Sequence, residues 1–122
     1  MAHNTYEMTM LLDFYGQLLT EKQRECCDMY YNEDFSLAEI ASLQSISRQG
    51  VRDTLVRAEL SLRDTEEKLG LLARELEQRE ILDSMATKLK QLEPLLSDEA
   101  KKLALSLTDE LTVLSKRLGY GV

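Results

Sequence analysis

Ser36 and Ser47 stand eleven residues apart in the stretch SLAEIASLQSISRQGVRDTLVRAEL, and that spacing constrains the fold more than anything else in the chain. Ser36 with Glu39 has the spacing of a capping box, in which the serine oxygen takes a free N–H of the first turn and the carboxylate takes the N–H of the cap. Ser47 is a second N-cap. Only one short helix, with Leu37, Ile40 and Ala41 turned inward, fits between them, and the next helix is entered through a tight turn. Ile46 precedes the second cap, where it is placed as a hydrophobic staple against Val51 or its neighbours. Val51, Leu55 and Ala58 then supply the inner stripe of the following helix.

Upstream, Met8, Leu11, Leu12, Tyr15 and Leu18 recur at helical spacing and predict a first helix over about residues 5–18. Thr20 and Gln23 form another capping box. Cys26, Cys27, Tyr30 and Tyr31 give the apolar face of the helix it opens, and Asn32, Glu33 and Asp34 break it. Six of the seven aromatic residues fall in the first 35 positions, which places a compact core in the N-terminal half. One proline and five glycines in 122 residues, with 30% charged residues, favour helix almost throughout. The expected fold is all-α, with one modest core and an appendage.

The appendage is rich in leucine. Leu55, Leu62, Leu69 and Leu76 fall seven apart, with Ala58 and Leu72 between, so the fourth helix is expected to run on past the first domain, weakened locally at Gly70. The pattern then slips to Met85, Leu89, Leu92 and Leu96, predicting a stutter or break near residues 78–82. Pro94 ends that helix and Ser97, followed by Asp98 and Glu99, begins a last one over 97–118. Along it Ala104, Leu107, Leu111, Leu114 and Leu118 alternate three and four apart, and Gly119 and Gly121 close it. Domains of 1–60 and 61–122 follow, the second a long helical arm or hairpin. A seam of Leu62, Leu69, Leu76, Leu107, Leu111, Leu114 and Leu118 requires a partner surface, either within the hairpin or on a second copy; a homodimer is expected.

Catalytic chemistry has little material. Adjacent Cys26 and Cys27 make no disulfide framework and read as buried small apolar residues, His3 lies near the terminus, and no cluster completes a metal site. A glycine-rich phosphate loop and a Ser/His/Asp set are both missing, and Glu66–Glu67 and Asp98–Glu99 read as exposed or capping pairs. The chain is expected to be no enzyme, with no metal and no cofactor. Its first residues lack a basic stretch and a continuous apolar stretch, and no segment reaches bilayer-spanning length, so a cytoplasmic protein without membrane insertion is expected.

Nucleic-acid recognition is the chemistry the sequence does offer. Ser47, Arg48, Gln49 and Arg52 share the start and one exposed arc of the fourth helix, with Val56 alongside. Arginine can contact guanine in bidentate fashion, glutamine adenine, and a helix start with a serine can hold a phosphate. Charge opposes this. Residues 1–60 carry five basic against ten acidic side chains, a balance of −5, and the whole chain is at −7. DNA affinity comes largely from phosphate neutralisation, so a single copy is expected to bind DNA weakly at physiological salt.

The stretch LLDFYGQLLTEKQRECCDMYYNEDFSLAEIASLQSISRQGVRDTLVRAE resembles the YlxM-like family of small bacterial helix-turn-helix proteins. Through LTEKQRECCDMYY, SLAEIA and ISRQGVR it is more distantly similar to sigma-factor region four. The family resemblance implies a regulatory role around the signal recognition particle, with the particle's GTPase or its receptor as partner. DNA is the alternative partner, the chain then being a transcription regulator reading the major groove with the helix that starts at Ser47; the particle's own RNA is a third. The sigma-like alignment puts Ser47, Arg48, Gln49 and Arg52 at the recognition-helix start. The chain departs from related units at the turn, with Gln44 and Ser45 where a bulky apolar residue and then Gly or Asn are usual, and with Leu43 one place early. The turn is therefore expected to pack differently. Gly50 stands where Ala is common and costs up to about 1 kcal/mol of helix propensity.

Overall fold

The computed structural model describes residues 5–119. Six α-helices account for most of them: α1 Thr5–Tyr15, α2 Glu21–Cys27, α3 Leu37–Gln44, α4 Arg48–Leu69, α5 Leu71–Leu92 and α6 Asp98–Arg117. Among the described residues there is no β-strand, as the scarcity of helix breakers predicts. His3, Tyr120 and Gly121 lie outside the described residues. The chain divides into two compact units, Met1–Ala73 and Arg74–Val122.

The starts of α2, α3, α4 and α6 fall where the sequence places them because each is satisfied within three residues. Thr20 Oγ1 accepts the Gln23 N–H at 3.1 Å while Gln23 Oε1 accepts that of Thr20 at 3.1 Å. Ser36 and Glu39 exchange the same pair at 3.1 and 3.0 Å. Ser47 Oγ accepts the Gly50 N–H at 2.9 Å, and Ser97 caps α6 through Ala100. The first helix is shorter than expected, ending at Tyr15 and tightening into a 3-10 turn over Gly16–Leu18. After Cys27 the second widens into a π-helical turn over Asp28–Asn32, and Tyr30 and Tyr31 meet edge to face at 4.9 Å.

In the first unit α4 packs against α1, α2 and α3. Its buried face is Val51, Leu55, Ala58 and Leu62, set against Met8, Leu11, Tyr15, Cys26, Cys27 and Ile40. Both cysteines are buried free thiols, and burial pushes the Cys27 thiol up to about 12. Such a group packs as a small apolar residue rather than reacting as a thiolate.

Three expectations for the second half are corrected. The fourth helix does not continue through Gly70: it ends at Leu69, with Gly70 in the left-handed region (φ 66°, ψ 24°) donating to the Glu66 carbonyl at 2.7 Å. A glycine there ends a helix cheaply, because without a Cβ it takes positive φ free of the local backbone strain an L-residue incurs, although nothing lies within 4 Å of where a Cβ would stand. The break expected near 78–82 is absent, since α5 is continuous from Leu71 to Leu92. The first unit closes at Ala73 rather than at 60, and Leu62 belongs to its core, 1% exposed, instead of to an arm seam.

The first turn of α5, Leu71–Ala73, lies within the first unit and has no capping serine or aspartate; Tyr15 and Glu66 serve it instead. The Tyr15 hydroxyl accepts the Leu71 N–H, while Glu66 accepts the N–H groups of Leu72 through Oε1 at 2.9 Å and of Ala73 through Oε2 at 3.0 Å. Leu72 is buried in the same core.

In the second unit α5 and α6 form an antiparallel hairpin. Gln78, Ile81 and Leu82 share a cavity with Leu114 and Leu118, while Met85, Leu89 and Leu92 share another with Leu107 and Leu111. Pro94 lies in the 3-10 turn Glu93–Leu95 that joins the two helices. Among the described residues of this unit only Leu82 and Ala104 are buried.

Candidate functional site

The approach to α4 is built by its backbone. Ser45 takes left-handed geometry (φ 57°, ψ 43°), its N–H donates to the Ala41 carbonyl, and the Ile46 N–H donates to the same carbonyl at 3.1 Å. The second bond is the 6→1 bond of a Schellman ending and the first the 5→1 bond of a left-handed cap, and in such endings the residue after the left-handed one commonly packs back on the core. Ile46 does so, half-buried against the core cluster. The turn thus has the conformation glycine favours, adopted here by a serine. Leu43 points away, 64% exposed, and the buried side-chain amide of Gln44 has no hydrogen-bonding partner among the described residues.

Gly50 has a local reason. A Cβ there would lie 3.3 Å from Ser47 Oγ and 3.5 Å from Ile46 Cδ1. The first approach is tighter than an ordinary contact and the second is not, so the missing side chain leaves room for the cap.

These constraints bring the starts of α3 and α4 to one open groove of about 780 Å3, lined by Ser36, Leu37 and Ala38 from one and Ser47, Arg48, Gln49 and Arg52 from the other. All four residues read from the sequence share this groove. Ser36, Leu37 and Ala38 were missed as site residues; the Ser36 capping box marks where their helix starts but carries no sign that it faces Ser47.

Two electrostatic facts define what the groove can do. Arg48 and Arg52 are exposed and, among the described residues, carry no ion pair, whereas Arg63 is held by Glu7 at 2.8 Å and Glu59 at 3.1 Å, and Lys68 by Asp64 at 3.0 Å. Gln49 is engaged on its own helix, Nε2 donating to Asp53 Oδ1 at 2.9 Å. The surroundings are acidic, since Met1–Ala73 holds seven basic against thirteen acidic side chains, a net −6. The groove therefore offers two unneutralised guanidiniums beside two helix starts, within a field that repels extended polyanions.

Among the described residues no group of three or more His, Cys, Asp or Glu is placed to hold a metal ion, and no helix is long and apolar enough to cross a membrane.

Comparison with known proteins places these features in a family. A UPF0122 protein of a Thermoanaerobacter species is 60% identical over 78 residues, which cover 64% of this chain and 67% of the relative. Another from Halalkalibacterium halodurans is 48% identical over 85 residues, 70% of this chain and 78% of the relative. A third, from Bacillus velezensis, is 46% identical over 101 residues, 83% of this chain and 88% of the relative. Residues 2–104 match the family described as "Putative helix-turn-helix protein, YlxM / p13 like". With that match spanning both the Ser36–Ser47 turn and most of the leucine-rich hairpin, the chain belongs to the UPF0122 family of helix-turn-helix proteins.

Proposed function

We propose that this chain is a cytoplasmic, non-enzymatic regulator in the signal recognition particle pathway, in which the helix-turn-helix groove docks on the particle's GTPase. The pathway is taken from the resemblance to YlxM-like proteins. The observation that carries the docking role is the isolation of Arg48 and Arg52: two unpaired guanidiniums in a unit of net −6 suit a short, localised contact with a carboxylate-bearing protein surface. Two such contacts to DNA would be weak. At a slope of about −0.9 per neutralised phosphate, they give only about a tenfold loss of affinity between 50 and 200 mM salt, the signature of a minimal phosphate footprint.

A second reading, a transcription regulator, draws on the convergence of the α3 and α4 starts on one groove, with Arg48 and Arg52 beside them. Affinity capture from lysate with and without nuclease, followed by binding of the purified chain to the GTPase and to a randomised DNA pool, separates the two. Capture of the GTPase regardless of nuclease, with binding reduced by Arg52→Ala, supports the first reading. Nuclease-sensitive capture, with an enriched DNA sequence whose affinity falls in Arg52→Ala, overturns it in favour of the second.

A further inference from the structure

The hairpin of α5 and α6 does not finish its own packing. Between the helices lies an apolar groove of about 420 Å3, walled by Met85, Leu89 and Leu92 from α5 and by Leu107, Leu111 and Leu114 from α6. Met85, Leu92, Leu107 and Leu114 are all between 44% and 49% exposed. Within Arg74–Val122 only Leu82 and Ala104 are buried among the described residues, so the two antiparallel helices lack the packing from which most helical stability comes.

We infer that this groove is where a second copy of the chain docks, α5 and α6 of each completing a four-helix bundle. Three observations select a second copy over another occupant. First, the two charged residues lining the groove are of opposite sign and sit on opposite walls, Lys88 on α5 and Glu110 on α6, and among the described residues neither has an ion-pair partner. A two-fold axis running along the groove lays each α5 over the α6 of the other copy at the same level. Lys88 of each copy then meets Glu110 of the other, twice, which is the self-complementarity a closed two-fold interface requires.

Second, Arg74–Val122 carries eight basic against nine acidic side chains, a net −1, while Met1–Ala73 carries −6. Like copies can meet through the hairpin without net repulsion, and a strongly acidic or basic partner finds no matching field there. Third, the dimensions fit. The 22 residues of α5 and 20 of α6 make helices about 33 and 30 Å long, and a face two helices wide, about 20 Å, projects about 600 Å2. Because accessible area exceeds projected area, this approaches the roughly 800 Å2 per partner of a stable interface.

The inference goes beyond the docking role of the helix-turn-helix groove and is tested separately from it, by sedimentation equilibrium of the purified full chain. The wild type is expected at twice the 14.0 kDa chain mass at low-micromolar concentration. Lys88→Glu and Glu110→Lys, both at exposed positions, each set like charges together at two sites and are expected to weaken association about tenfold or more, with helicity unchanged by circular dichroism. Mixing the two variants restores both opposite-charge pairs in a heterodimer, so the mixture is expected to regain the dimer mass. A monomeric wild type overturns the inference, as does a mixture no more associated than either variant alone, because pairing within one chain would be indifferent to mixing. A monomer that binds only a different protein through this groove overturns it equally.

Discussion

The Tyr15 hydroxyl donates to Glu66 Oε1 at 2.6 Å and accepts the backbone N–H of Leu71 at 3.1 Å. Together these two side chains do for the first turn of α5 what serines do for α3, α4 and α6. They take up N–H groups that have no carbonyl one turn back to receive them.

Removing the hydroxyl should therefore cost more than a surface hydrogen bond. Tyr15→Phe is expected to lower the free energy of unfolding by about 1.5–3 kcal/mol, as loss of a hydrogen bond to a charged group does. Glu66→Ala should cost a similar amount, and the double variant less than the sum, because each single change already disturbs the shared network. Urea denaturation of the four proteins checks this; strict additivity would mean the pair is not coupled.

The same pair sets a pH dependence. Burial acts to raise the Glu66 carboxyl, but hydrogen bonds from Tyr15, Leu72 and Ala73 outweigh it and hold the group below its ordinary value of 4.5. A depressed folded-state pKa contributes stability that is present above 4.5 and lost as pH falls through the folded value. Burial and the Glu66 hydrogen bond raise Tyr15 above 10.0, so its contribution is present below that pH and lost as pH rises through the folded value. Thermal melts between neutral and acid pH should show the wild type losing more stability than Glu66→Gln, which has no carboxyl to protonate.

The turn before α4 is a site for gain. Ser45 has φ 57°, in the region that costs an L-residue about 1–2 kcal/mol and glycine very little. Ser45→Gly is expected to stabilise the protein by about 0.5–1 kcal/mol after the added flexibility of the unfolded chain is counted. A denaturant midpoint that falls would show that the serine is favourable in this turn.

The heptad leucines should separate sharply in a truncation series. Leu62, 1% exposed in the core, is expected to cost about 2–5 kcal/mol as Leu62→Ala. Leu69, the last residue of α4 and 53% exposed, should change stability by no more than about 0.5 kcal/mol as Leu69→Ala. Equal costs would restore the continuous seam that their spacing suggests.

The sequence by itself determined the all-α class, the capped starts at Thr20, Ser36, Ser47 and Ser97, the stop at Pro94, and the grouping of Ser47, Arg48, Gln49 and Arg52 at the start of α4. Each is decided locally: a cap is satisfied three residues away, and one turn of helix fixes which side chains share an arc. Tertiary structure decided the rest. A seven-residue leucine repeat is compatible with a globular core as well as with a helical seam, and only the packing of α1, α2 and α3 on α4 assigns Leu55 and Leu62 to the core. Gly70 tolerates both a weakened helix and a left-handed stop. The stop is fixed by Tyr15 and Glu66, 51 residues apart, which supply the α5 start with acceptors that no neighbouring residue provides.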